Sequence, residues 1–154
     1  MGNTNAAMLP SLSEVERFAM SGNATLTIVS KVTNARITFK FRRPDAEPGK
    51  ARPTWVSLTD PEDNEAQGPF LGTVWGEHGT YSLRRSDKVK VSEDAPSARL
   101  LRWFLTVLNL STSKATEQAE FWHEGRCGRC GRLLTVPSSI ESGLGPECIK
   151  HAGE

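Results

Sequence analysis

The sequence predicts an α+β fold with a metal-binding tail, and three features predict it. Over residues 36–42 (Arg-Ile-Thr-Phe-Lys-Phe-Arg) apolar residues alternate strictly with polar ones, the period-two pattern of a strand with one buried face. Leu100, Leu101, Phe104, Leu105 and Leu108 then follow the three-to-four spacing of an amphipathic helix. All three cysteines, Cys127, Cys130 and Cys148, fall in one short segment rich in Gly and Arg. The expected architecture is a small, mainly antiparallel sheet body with one or two packed helices over residues 1–110. A polar linker at 111–120 and a zinc-knuckle or treble-clef-like module over 121–154 complete it.

Taken in order, Ser11 with Glu14 three residues on is a capping-box pattern. Leu12, Val15, Phe18 and Ala19 mark one helical face, and Gly22 supplies the stop. Strands are expected at 25–31 and 36–42, with Thr33 and Asn34 as the turn between them. A loop rich in Pro and Gly over 44–53 leads to further strands at 54–58, 70–75, 80–84 and 88–91, with a hairpin turn at 76–79. His78 in that turn reads as a turn residue rather than a general base. The acidic stretch 60–65 reads as a solvated connection. Residues 92–96 look like the start of the main helix, whose stripe is widened by Trp103 and Val107. Residues 111–120 are polar and lack apolar periodicity.

Composition bounds the function. Nineteen Lys and Arg against 18 Asp and Glu give a net charge of +1, which excludes a globally basic nucleic-acid binder but allows a local patch. At 37% hydrophobic and 24% charged, the chain is too apolar for general disorder. Residues 1–10 lack a basic-then-apolar leader, and no apolar run approaches the ~20 residues that span a bilayer. A cytoplasmic location without membrane attachment is expected. Three cysteines packed into one segment argue against a disulfide framework.

They argue instead for a metal. Cys127 and Cys130 are two residues apart, the spacing that lets both sulfurs reach one ion from a tight turn, and Cys148 returns as a second half-site. Zinc suits a mixed set of thiolate and imidazole, and a fourth ligand is needed. His123 is one choice, in a segment anchored by Phe121 and Trp122. His151 is the alternative, forming Cys-x-x-His with Cys148 but standing near the chain end, where fraying is expected. Of the two, His123 is the expected ligand. A structural site is expected, with Glu124 and Glu147 as solvated neighbours rather than bases. Leu133, Leu134, Val136 and Ile140 form the expected mini-core, with Ser139 and Glu141 at the surface.

The segment Cys-Gly-Arg-Cys-Gly-Arg-Leu-Leu-Thr at 127–135, followed by Pro137, Ser139, Ile140, Gly143, Gly145, Pro146 and Cys148, resembles a zinc-binding family of unknown function found in phage and prophage proteins. The resemblance covers about 30 residues. It implies a metal site and a phage origin, with the host cytoplasm as location, and an upstream His at the position of His123 is similar to longer members. It implies no activity.

Two classes of function remain. Residues 31–52 hold seven basic and two acidic residues, with Arg36, Lys40 and Arg42 on one strand face. Arg84 and Arg85 begin a second basic cluster that Lys88 and Lys90 continue, and Arg126, Arg129 and Arg132 surround the cysteines. Such patches suit nucleic acid, by tracking a phosphate backbone. The second class is a protein-interaction module, such as a phage-encoded inhibitor of a host enzyme or defence complex, with Trp55, Trp75 and Tyr81 as anchors. Catalysis is not expected. The sequence has no phosphate loop, no nucleophile elbow and no evident small-molecule substrate.

Overall fold

The computed structural model of the chain describes residues 6–45, 48–50, 52–60, 67–112 and 114–151, the side chain of His151 excepted. Its elements in chain order are β1 (Ala7–Leu9), α1 (Leu12–Ala19), β2 (Asn23–Ser30), β3 (Arg36–Arg42), β4 (Thr54–Thr59), β5 (Gln67–Trp75) and β6 (Ser82–Arg84). These are followed by α2 (Pro96–Leu110), α3 (Ala115–Gln118), β7 (Ala119–His123), α4 (Pro137–Ser142) and a 3-10 turn over Cys148–His151.

The strands form one sheet in the order β1-β7-β2-β3-β4-β5-β6, every neighbouring pair antiparallel. The period-two pattern sets the register. Ala24, Leu26 and Ile28 stand opposite Phe41, Phe39 and Ile37, so one face is apolar. α1 starts where expected, with the Glu14 backbone N–H donating to Ser11 Oγ at 3.3 Å. α2 opens on Pro96, whose missing N–H costs nothing in the first helical turn. Both helices bury their stripes on the apolar face. Val15, Phe18, Leu101, Phe104 and Leu108 join Leu26, Phe39, Phe41, Val56, Leu71 and Phe121 in one core. Phe104 lies 5.8 Å from both Phe41 and Phe121, centroid to centroid.

His78 does stand in the turn between β5 and β6, where it acts as a clasp. Its Nδ1 lies 2.8 Å from Glu16 Oε1 on α1, and its Nε2 lies 3.1 Å from Ser111 Oγ at the end of α2. The Tyr81 hydroxyl donates to the same Glu16 carboxylate at 2.9 Å.

Three expectations need correction. Residues 88–91 are not a strand. Ser86 turns the chain there, accepting from the Val89 N–H at 3.0 Å on its carbonyl and from the Lys88 N–H at 3.3 Å on its hydroxyl. Residues 111–120 are not simply a linker, because α3 and the start of β7 occupy 115–120. β7 itself lies inside the sheet, between β1 and β2, so the segment before the cysteines is part of the body. Of the acidic stretch 60–65, residues 61–65 lie outside the described residues. Among the described residues no helix is long and apolar enough to cross a membrane.

Candidate metal centre

Residues 124–151 leave the end of β7 and fold back against α1. Their tight turn is built by backbone bonds. The Gly131 N–H donates to Cys127 O at 2.9 Å, the Cys127 N–H to Arg132 O at 2.8 Å, and the Leu134 N–H to Gly125 O at 2.9 Å. α4 then reverses the chain and ends on Gly143 in the left-handed conformation (φ 77°). The turn over Cys148–His151 brings the third cysteine back to the first two.

The three sulfurs all lie within 4.8 Å of one another. A tetrahedral ion about 2.3 Å from each sulfur requires separations of roughly 3.8 Å, so the trio fits a thiophilic metal with little adjustment. Cys127 is buried, Cys148 half-buried and Cys130 exposed. Cys127 Sγ accepts the backbone N–H of Gly145 at 3.3 Å and of Arg129 at 3.4 Å. Burial alone would raise the Cys127 thiol, but the N–H groups of Gly145, Cys130 and Arg129 outweigh it and hold it below the ordinary thiol value. Burial, with hydrogen bonds to Cys130 and Cys127, pushes Cys148 up to about 12. Without an ion the cluster thus favours the thiolate more at Cys127 than at Cys148. A dication reverses that balance, and loading must release protons.

His123 is not at the cluster. Fully buried at the end of β7, it spends both ring nitrogens on backbone. Nδ1 accepts the Gly125 N–H at 3.0 Å, so the proton is on Nε2, which donates to Ile140 O. The histidine ties the metal segment to the sheet instead of ligating through it. Phe121 beside it is buried in the core, and the ring meets the Ile140 carbonyl in α4. Among the described residues the metal-competent group is Cys127, Cys130 and Cys148. His151 closes the turn that Cys148 opens, and its side chain lies outside the described residues.

The mini-core also differs from expectation. Leu134 and Leu144 are buried beside Cys127, with Ile140 and Cys148 packed against them, whereas Leu133 and Val136 are exposed. Ser139 is buried rather than at the surface, with its carbonyl accepting the Gly143 N–H at 2.8 Å. Leu133 and Val136 rim a hollow of about 170 Å³ beside the thiols, together with Arg132 and Pro146.

The basic residues separate into three groups. Arg36, Lys40 and Arg42 lie on the sheet face opposite the core, and Arg84 joins them there with its guanidinium 4.9 Å from the Trp75 ring centroid. Arg85 turns the other way and serves the chain itself, donating from Nη2 to Val91 O at 2.5 Å and standing 3.6 Å from Glu93. Arg129 meets Arg42, Arg43 and Arg52 in a depression where the metal segment adjoins the sheet. Arg43 and Arg52 were legible only as part of the basic run 31–52, since pairing with Arg129 depends on the tertiary fold.

Residues 117–153 match the model of DUF6011, a family of unknown function. The match starts in α3 and takes in β7 and the whole metal segment, leaving the rest of the sheet and α2 outside it. No curated protein and no solved structure matches the chain.

Proposed function

We propose that this is a nucleic-acid-binding accessory protein of phage type, working in the host cytoplasm, whose cysteine centre holds a structural zinc ion. The observation that carries it is the open sheet face. α1, α2 and the metal segment all pack on the apolar side, leaving Arg36, Lys40, Arg42 and Arg84 outward among Trp55, Phe70 and Trp75. Cations interleaved with aromatics on a sheet are what a nucleic-acid chain needs, phosphates for the first and bases for the second. The test is binding to single-stranded and duplex DNA across a salt series. Affinity should fall steeply with salt, and Lys40→Ala with Arg42→Ala should flatten the slope by about two. Absent or salt-insensitive binding would sink the reading.

Zinc is supported by three sulfurs that lie within 4.8 Å of one another and by the Cys-x-x-His spacing of Cys148 and His151. Thiolates packed against Leu134 and Leu144 suit a structural centre, and the protein acts by binding rather than catalysis. Elemental analysis of protein purified without chelator should give about one equivalent of zinc, retained by His123→Ala and weakened by His151→Ala.

A second reading has its own observation. Leu133, Val136 and Ile149 are 55%, 46% and 38% exposed around the metal segment, an apolar rim suited to a protein partner such as a host enzyme or defence complex. Capture of one defined host protein, lost in Leu133→Asp with zinc retained, would favour it.

A further inference from the structure

We propose that the ligand of the open face is a single strand, with a base stacked on Trp55 and the adjoining phosphate in the arginine depression beside the metal segment. The inference rests on the nucleic-acid reading above and specifies its ligand.

The two outward tryptophans are not equivalent. Trp75 is already engaged, covered by the Arg84 guanidinium at 4.9 Å and tied through Nε1–H to Thr73 Oγ1 at 2.9 Å. Trp55 is 45% exposed and is backed by Phe70 at 5.4 Å between centroids. A ring braced on one side and open on the other is a stacking platform with little rotamer entropy left to lose.

The cationic site is next to it. Trp55 stands opposite Arg42 in the β3–β4 register. A groove of about 520 Å³ lined by Lys40, Arg42, Trp55 and Phe70 shares Asn23, Arg42 and Pro44 with a second depression of about 590 Å³. That depression carries Arg42, Arg43, Arg52 and Arg129 against a single carboxylate, Asp45, among the described residues. Burial, and then the neighbouring Arg52, hold the Arg43 guanidinium below its ordinary value, although Tyr81 and Glu77, which it also faces, pull the other way. Its Nε is buried and has no hydrogen-bond partner among the described residues. Crowded guanidiniums of this kind are relieved by an anion, and a phosphate diester supplies one with several acceptor oxygens.

The site is also rigid. The Arg43 N–H donates to Gly22 O at 2.9 Å, and the Asn23 N–H donates to Gly128 O at 2.7 Å, so strand, depression and metal segment share one backbone frame. Arg129 stands between Cys127 and Cys130 and is therefore positioned by the same turn that holds the metal-competent thiols.

A duplex fits this face poorly. Reading a groove takes a projecting helix or ribbon, and both long helices are behind the sheet. Paired bases are also stacked on one another and offer no free face to Trp55.

The experiment is fluorescence anisotropy with the full chain, loaded with zinc, and a labelled 12-nucleotide oligothymidine against a duplex of equal length. Single strand should bind at least tenfold tighter. Trp55→Ala should weaken it by about five- to 150-fold, the range for one lost base stack, with Trp55→Phe restoring most of the binding. Arg52→Ala with Arg129→Ala should lower the salt slope by about two, while Arg99→Ala on the far surface leaves it unchanged. Equal affinity for duplex and single strand, or no effect of Trp55→Ala in a variant with wild-type circular dichroism, overturns this inference and leaves the general reading standing. No salt-dependent binding to either probe overturns both.

Discussion

The sheet body buries Phe18, Phe39, Phe41, Phe104 and Phe121 in one continuous core, whereas the metal segment buries Cys127, Leu134 and Leu144, with Ile140 and Cys148 only partly covered. An apolar core of the first kind stabilises a fold by area removed from water, at about 25 cal/mol per Å². Three small buried side chains cannot offset the conformational entropy of nearly thirty residues, at roughly 1–2 kcal/mol each. The segment has thiols that could hold a metal ion on one side and the body on the other. It rests on Phe18 and is bonded to β2 through the Asn23 N–H and to β7 through His123. Two regions of one chain therefore follow different stability rules while sharing a wall.

The largest effect that separates them is loss of the metal. Apparent binding energies of structural zinc sites are ~10 kcal/mol or more, nearly all of it folding energy. Cys127→Ser, or a strong chelator, should take zinc from about one equivalent to near none. Hydrogen exchange should then speed in 125–150 while β2 to β5 stay protected. Loss of protection throughout the sheet would show that the body cannot stand without the metal segment.

The converse substitution is Phe104→Ala, which opens a cavity between Phe41 and Phe121 and should cost about 3–5 kcal/mol. Here the denaturant midpoint should drop for the whole molecule, with zinc released only in the global transition. Release of zinc well before the sheet unfolds would mean that the metal segment reads the body's packing directly.

The shared wall is probed by glycine. A Cβ on Gly128 would lie 2.7 Å from Phe18 Cδ1 and 2.8 Å from Ser21 Oγ, so Gly128→Ala must displace the phenyl ring or undock the turn. A cost of about 1–3 kcal/mol is expected from such overpacking. Gly145→Ala is the control. Its Cβ would meet only Cys127 Sγ, at an ordinary 3.9 Å, and its urea midpoint should change less. Equal midpoints for the two variants would remove Phe18 as the seat of the segment.

How much of this was legible follows the same division. Strand 36–42 and the helix through Phe104 carry their period in their own residues, so their positions could be read directly. The cysteine spacing likewise foretold that the three sulfurs meet, since ligand geometry is local. β1 was missed because three residues, Ala7–Leu9, hold no period. β7 was missed because its alternation of Ala119, Phe121 and His123 inward uses a histidine, which read as a ligand rather than a core residue. Leu133 and Leu134 could not be told apart by type; which one is buried depends on how the turn packs against Cys127 and Leu144. The Arg42, Arg43, Arg52 and Arg129 depression needs two distant segments brought together, which no window of sequence displays.

His123 sharpens the comparison through pH, at the smallest expected energy. Burial disfavours its charged form most, and although the Ile140 carbonyl and Glu124 pull the other way, the ring is held below the ordinary imidazole value. The geometry gives the reason, because a proton on Nδ1 would face the Gly125 N–H that now donates to it. The unfolded chain, whose imidazole titrates near about 6.5, binds more protons than the folded one below that pH. Stability should therefore be level above about pH 7 in this respect and fall as pH drops through 6.5 toward the folded value. Thiolate protonation acts in the same direction, so the measurement is a difference: urea midpoints of wild type and His123→Gln, both zinc-loaded, between pH 8 and 5.5. Glutamine keeps a donor and an acceptor but cannot be charged, so the wild type's advantage should narrow as the pH falls. A constant difference across the range would mean that the ring takes its proton without disturbing Gly125. The joint between sheet and metal segment would then be set by Phe18 rather than by the histidine.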